Sequence, residues 1–136
     1  MRKISLDIGT RRIGVAQSDM LGIIATPTEV YTRRSLGLDA KYIADLAKRL
    51  EADTIVVGLP LKLDGSEGPS VQMAREFAQE LERFTSANIE FIDERFTTVS
   101  AERMLLESDM RRDKRRETID MVAASIILQA YLDKKK

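Results

Sequence analysis

The sequence contains no histidine and no cysteine, and these two absences narrow the chemistry open to it. Without histidine there is no Ser/His pair, no imidazole general base and no His-ligated transition metal. Without cysteine there are no disulfides, no thiolate nucleophile and no zinc–thiolate site, which fits a cytoplasmic protein. Any metal in this protein would therefore be bound by oxygen ligands, which favours Mg²⁺ or Mn²⁺.

The 136-residue chain also lacks a long apolar run and an excess of either charge. No segment resembles a signal peptide or is long enough to span a bilayer, so we expect no membrane partner. Its 22 basic and 22 acidic residues cancel, so any nucleic-acid binding must come from local patches rather than from a global basic field. With 43% hydrophobic residues, the composition predicts one globular domain over residues 1–136.

The first ten residues predict a strand and the tight turn that ends it. Ile4, Leu6 and Ile8 alternate with polar residues, which is the period of a strand. Because one face is apolar and the other has little charge, we expect this strand in the middle of a sheet. Further strands are predicted at 13–17, 23–31, 54–59 and 89–92. The third should be an edge strand or contain a bulge, because Pro27 cannot donate a ladder hydrogen bond.

Helical spacing of apolar residues predicts the remaining elements. Helices are expected at 38–50, across an inner stripe from 71 to 84, from Thr97 or Thr98 to about 106, and from about 117 to 133. The order β-β-β-α-β-α-β-α-α predicts an α/β fold. Its sheet would have five strands, three antiparallel ones followed by two reached through crossovers, with helices on both faces.

Acidic residues occupy the predicted ends of two strands. Asp7 lies near the carboxyl end of the first strand, and Asp93 and Glu94 follow the fifth. In an open α/β sheet the ligand crevice lies outside the carboxyl ends of the strands. The alternation along the fifth strand does not decide which of Asp93 and Glu94 points into that crevice.

Asp120 lies at the inward edge of the last predicted helix, in its predicted first turn. There it could simply complement the helix dipole. Alternatively, carboxylates from two strands and this helix could converge and bind two metal ions about 4 Å apart, as phosphodiester cleavage requires. The small residues Ala123 and Ala124 should let the helix approach the sheet closely.

Basic residues flank each of the predicted acidic positions, as expected if phosphates are drawn onto the acidic centre. The candidate nucleic-acid-binding residues are Arg11, Arg12, Lys62, Arg95, Arg111, Arg112, Lys114, Arg115 and Arg116.

Four blocks of sequence resemble one known family. They are LDIGTRRIGVAQSD at 6–19, IVVGLPLKLDGSEGP at 55–69, FIDERFTT at 91–98 and TIDMVAASIILQAYL at 118–132. Over essentially its full length, the chain resembles the YqgF (RuvX) family. The resemblance implies an RNase H-like fold and a nuclease that matures the 5′ end of pre-16S rRNA in ribosome biogenesis. It also implies an older proposal, a Holliday junction resolvase acting on branched DNA.

The acids that match the family's proposed centre are Asp7, Glu94 and Asp120, with Asp93 adjacent. The leading hypothesis is a nuclease that uses Mg²⁺ or Mn²⁺, with these acids as its metal ligands. Its partner would be structured RNA (pre-rRNA or a ribosome precursor) or branched DNA, and it would be a monomer or weak homodimer. A second hypothesis is a non-catalytic RNA- or ribosome-binding module. A third is an ATP-using phosphotransferase, because DIGT also resembles a phosphate loop, but such enzymes close two domains around the nucleotide and this chain has one.

Overall fold

The computed structural model describes residues 1–62, 64–96 and 112–135 as an α/β fold with one five-stranded sheet. The strands are Arg2–Ile8 (β1), Arg12–Ser18 (β2), Ala25–Thr32 (β3), Ala52–Leu59 (β4) and Asn88–Asp93 (β5). The helices are Leu36–Arg49 (α1), Pro69–Leu81 (α2) and Arg112–Lys134 (α3), and a short 3-10 helix covers Glu94–Phe96. No helix within these described ranges is long and apolar enough to cross a membrane.

The strand order β3-β2-β1-β4-β5 confirms that β1 is the central strand. β1 pairs antiparallel with β2 and parallel with β4, which in turn pairs parallel with β5. β3 is one of the two edge strands, and its pairing with β2 shifts register beside Pro27, as predicted for a residue without an N–H. The predicted antiparallel opening and parallel crossovers are therefore both confirmed.

Two apolar layers cover the two faces of the sheet. On one face, the side chains of Ile4, Leu6 and Ile8 pack with α1 and α2 in the larger core cluster. On the other face, small and aliphatic sheet residues, among them Ala16 and Val56, pack against α3. Alternate residues of each central strand thus belong to different layers, and β4 is buried on both faces as its apolar sequence predicts.

The first two helices begin and end close to their predicted bounds. α1 begins at Leu36, two residues before its predicted start, because the Ser35 side chain caps it by accepting from the Leu38 N–H. α2 ends at Leu81, so the prediction that Phe84 belongs to its inner stripe is wrong. Phe84 follows the helix in a turn and is exposed.

The last helix begins earlier than predicted. α3 starts at Arg112 rather than near 117, so Asp120 lies in its third turn and not in its first. Because the dipole effect fades beyond the first turn, the interpretation of Asp120 as a dipole-complementing residue is wrong. The predicted short helix from Thr97 or Thr98 to about 106 lies outside the described residues.

Candidate acidic site at the edge of the sheet

Asp7 lies between two glycines on the face of the sheet that α3 covers. The β1–β2 register pairs Asp7 with Gly14, and pairing of Leu6 with Val57 places Gly58 level with Asp7 on the other side. Ser5 lies on the same face, and its hydroxyl donates to the carbonyl of Ala124 at 2.6 Å. Asp7 itself is buried. In the row Gly14–Asp7–Gly58, called the glycine row below, the acidic residue therefore lies between two residues that have no side chain.

Asp120 lies against one of these glycines. A Cβ atom placed on Gly14 would overlap the carbonyl oxygen of Asp120 and lie 2.5 Å from its carbonyl carbon. The helix therefore approaches β2 as closely as backbone atoms allow, which confirms the predicted close approach of α3 to the sheet. The Asp120 carboxylate accepts a hydrogen bond from Nε of Arg12 at 2.9 Å between Nε and Oδ2.

Glu94 lies against the other glycine. A Cβ on Gly58 would lie 3.0 Å from Oε2 of Glu94 and 2.7 Å from a methyl group of Ile127. Ile92, two residues before Glu94, belongs to the α3-facing layer, so the alternation continues past the end of β5. Glu94 is thus the member of the Asp93–Glu94 pair that lies on the same face as Asp7.

Asp93 is engaged elsewhere. Its carboxylate accepts hydrogen bonds from Nε and Nη2 of Arg95 and from the Arg95 backbone N–H. The Arg95 side chain therefore holds the pKa of Asp93 below its usual range, against the opposing effect of burial. Asp93 is committed to a local ion pair rather than directed at the glycine row.

Asp7, Glu94 and Asp120 therefore approach one glycine row from three elements on one face of the sheet. Within the described part of the chain, no three acidic side chains are close enough together to form a metal-binding group. Asp120 in particular is turned towards Arg12. The structure thus brings the three acids to one region and leaves their carboxylates spread along it.

The predicted basic residues divide into three groups. Arg12 and Arg95 each bind an acid at this edge of the sheet, and Arg95 also lies over Gly65 in the loop before α2. The Lys62 side chain packs on Gly68 at the start of α2, and exposed Arg11 precedes Arg12 in the β1–β2 turn. The third group lies at the start of α3: Arg111 is outside the described residues, and only the helical backbone is described for Arg112, Lys114, Arg115 and Arg116.

Comparison with known proteins identifies the family. The family described as "RuvX: Holliday junction resolvase" matches residues 1–134. The chain belongs to the RuvX family. A relative from Halalkalibacterium halodurans named "Putative pre-16S rRNA nuclease" is 46% identical over 138 residues, covering 100% of this chain and 99% of the relative. A relative of the same name from Ruegeria pomeroyi is 49% identical over 129 residues, covering 95% and 84%.

Solved structures show that this RuvX chain has the fold of RNase H-like resolvases. RuvC from T. thermophilus, in complex with a Holliday junction substrate, superposes with a TM-score of 0.59 at 10% identity, covering 98% of this chain and 96% of RuvC. The fowlpox virus Holliday junction resolvase gives the same TM-score at 14% identity, covering 98% and 99%. These similarities confirm the fold expected from the sequence.

A supporting network in this RuvX chain was not predicted. Arg33 donates to the carbonyl of Gly9, in the turn between Asp7 and Arg12, at 3.0 Å. Its Nε donates to buried Asp39, which also accepts from the hydroxyl of Tyr31. The glycines at 14 and 58 were missed as well, although glycine inside a strand pattern is itself a signal of close approach.

Proposed function

We propose that this RuvX-family chain is a metal-dependent nuclease that hydrolyses phosphodiester bonds, with pre-16S rRNA as its substrate. The observation that carries the proposal is the row Gly14–Asp7–Gly58, against which Asp120 and Glu94 lie from opposite sides. Carboxylate side chains near the carboxyl ends of the strands, with no histidine or cysteine in the chain, suit hard divalent cations.

The residues fit Mg²⁺ or Mn²⁺ by donor type, because carboxylate oxygens are the ligands that these ions prefer. Asp7, Glu94 and Asp120 would hold the ions, with Asp93 remaining paired to Arg95. A methyl group on Gly58 would press against Glu94, so glycine there preserves room beside Asp7. Bound divalent cations supply Lewis acidity that stabilises the charge developing on the phosphate.

The chain's own cations would position the nucleic acid. Arg12 and Arg95 lie beside the acids, and Lys62 lies in the loop that Arg95 contacts. Such groups bind phosphate oxygens without reading base sequence, so affinity should fall steeply as salt rises. These cations also offset part of the repulsion between the three acids and the phosphates of the nucleic acid.

The choice of pre-16S rRNA as the substrate is based on the similarity of this chain to its relatives. The named pre-16S rRNA nuclease of H. halodurans matches this chain from end to end. The second candidate is resolution of branched DNA, and the family description together with the fold shared with two resolvases favours it. Both candidates use the same acids, so the substrate must be decided by direct comparison.

The test is cleavage of a pre-16S rRNA 5′ fragment, and in parallel of a four-way DNA junction, with Mg²⁺ or Mn²⁺. Asp7→Asn should lower the cleavage rate by about 100-fold or more, because an amide is a neutral and weaker ligand for a divalent cation. Asp53→Asn is the matched control. Asp53 is paired with Lys3 near the start of β4, at the opposite end of the sheet from Asp7.

Equal cleavage by Asp7→Asn and Asp53→Asn would refute the assignment of the site. A non-catalytic module predicts a different result. Wild-type protein would then bind RNA without cutting it, and binding would survive Asp7→Asn and Asp120→Asn. It would weaken when Arg111, Arg112, Arg115 and Arg116 are neutralised.

A further inference from the structure

Arg12 forms an ion pair with an acid of the candidate site. Its Nε donates to Oδ2 of Asp120 at 2.9 Å, joining the first residue of β2 to the third turn of α3 across 108 residues of sequence. The two side chains are 26% and 22% exposed, so the pair lies at the surface of the edge rather than deep inside it. Solvent and a ligand can therefore both reach it.

This ion pair is not needed to hold α3 on the sheet. The helix already buries apolar residues against β2, β4 and β5, touches Gly14 through its backbone and accepts a hydrogen bond from Ser5 of β1. A partly exposed ion pair contributes only about 0–1 kcal/mol to stability. The ion pair can therefore be broken and exchanged without loss of the fold.

We propose that Arg12 is an exchangeable counterion of Asp120: a divalent cation displaces it from the carboxylate, and the released guanidinium binds a phosphate oxygen of the nucleic acid. This inference rests on the function proposed above. It makes Arg12 a positioning residue that links occupation of the acidic site to capture of the polyanion.

The geometry favours exchange at the side chain alone. The Arg12 carbonyl accepts from the Gly9 N–H at 2.9 Å, and Arg12 pairs with Thr32 of β3, so the backbone of Arg12 is fixed. A dication near Asp120 repels the guanidinium and competes for the same carboxylate. Once released, the planar fork of an arginine matches the oxygens of a phosphate better than a lysine does.

The experiment measures Mn²⁺ affinity by electron paramagnetic resonance, in wild type, Arg12→Gln and Arg11→Gln. Arg11 is exposed and adjacent, so its replacement removes the same charge from nearly the same place without breaking the Asp120 ion pair. We expect Arg12→Gln to bind Mn²⁺ about fivefold more tightly or better, and Arg11→Gln to change affinity less than about twofold. Arg12→Lys should lie between wild type and Arg12→Gln.

A second readout is the salt dependence of RNA and DNA-junction binding in Ca²⁺. Arg12→Gln should reduce the slope of log affinity against log salt by about one, the loss of one phosphate contact. Unchanged or weaker Mn²⁺ binding in Arg12→Gln, or an equal gain in Arg11→Gln, would overturn the proposal that Arg12 and the cation compete for the Asp120 carboxylate. An unchanged salt slope in Arg12→Gln would overturn the proposal that the released guanidinium binds a phosphate oxygen.

The acid variants separate this inference from the proposed function. Mn²⁺ binding that weakens in both Asp7→Asn and Asp120→Asn, with no gain in Arg12→Gln, would reject the role of Arg12 and leave the metal site standing. Mn²⁺ binding that neither acid variant alters would reject the metal site and the Arg12 inference with it. Circular dichroism of each variant verifies that it is folded.

Discussion

Replacing Gly14 with alanine should damage the packing of α3 on the sheet. The added Cβ would overlap the Asp120 carbonyl, and real Cβ contacts below 3.0 Å are essentially never seen. Because the obstacle is backbone, no rotamer change relieves the overlap, and the helix would have to retreat by roughly 1 Å. A gap of that size forfeits a quarter to a half of the dispersion attraction across the α3 interface.

The magnitude follows from the kind of atom that is met. For Gly14→Ala we expect a loss of roughly 3 kcal/mol, at the upper end of the range for overpacked cores, and a fall in melting temperature of about 10 °C. Gly58→Ala meets the ends of the Ile127 and Glu94 side chains rather than backbone atoms, so small shifts of these side chains can make room. It should cost about 1 kcal/mol or less, yet move the Glu94 carboxylate and reduce cleavage.

Urea unfolding followed by far-ultraviolet circular dichroism measures these differences directly. Gly37→Ala is the control, because its Cβ would lie at an ordinary 3.6 Å from Oε2 of Glu80 and the residue is in α1. That variant should be neutral or more stable by up to about 1 kcal/mol. The reasoning is refuted if Gly14→Ala stays within about 0.5 kcal/mol of wild type, a difference typical of a surface substitution.

Two further predictions concern buried polar groups. Burial opposes ionisation of Asp39, but hydrogen bonds from the Arg34 N–H, Arg33 and Tyr31 outweigh it and lower the pKa of Asp39. The ionised Asp39 carboxylate thus stabilises the fold above about pH 4, which is the pKa of an aspartate in the unfolded chain. This contribution is lost as the pH falls through the lower pKa that Asp39 has in the folded protein. Asp39→Asn should therefore destabilise the protein most near neutral pH, and an unchanged gap in urea midpoint down to pH 2.5 would contradict this. Burial and a hydrogen bond to Glu90 raise the pKa of Tyr131. Tyr131→Phe should lower the free energy of unfolding by about 1 kcal/mol at pH 7. Above about pH 10, wild type should also lose stability because the phenol ionises first in the unfolded chain, and the variant should lack this loss. Parallel pH–stability curves for variant and wild type would exclude that role.

The elements with a strong apolar period were predictable from the sequence, and those without one were not. β1 alternates cleanly, and its central place follows from that pattern. The first turns of α3 carry an Arg- and Lys-rich run without an apolar stripe, so periodicity placed the start of the helix near 117 instead of at Arg112. That error placed Asp120 in a first turn and made the dipole interpretation look attractive.

The residues of the candidate site could be proposed from the sequence, but their contacts could not. Residue type and position in the predicted strands and last helix indicated Asp7, Asp120 and the Asp93–Glu94 pair, and the family resemblance pointed to Glu94. The pattern alone could not separate Asp93 from Glu94, because twist at a strand end can break the alternation. The structure separates them through Arg95, which binds Asp93, and through Gly58, which borders Glu94. Ion pairs between residues far apart in sequence leave no periodic signal, so the Arg12–Asp120 pair was not foreseen.

The topology explains how a chain with no net charge can concentrate opposite charges at one edge. β1, β4 and β5 run parallel, so their carboxyl ends lie together and bring Asp7 and Glu94 to the same edge. β2 runs antiparallel, so the same edge receives its first residue, Arg12. The topology of the sheet therefore places acids from the parallel strands next to a cation from the antiparallel strand. A site built in this way contains its own counterion, and displacement of that counterion is the step at which metal binding and phosphate binding would become coupled.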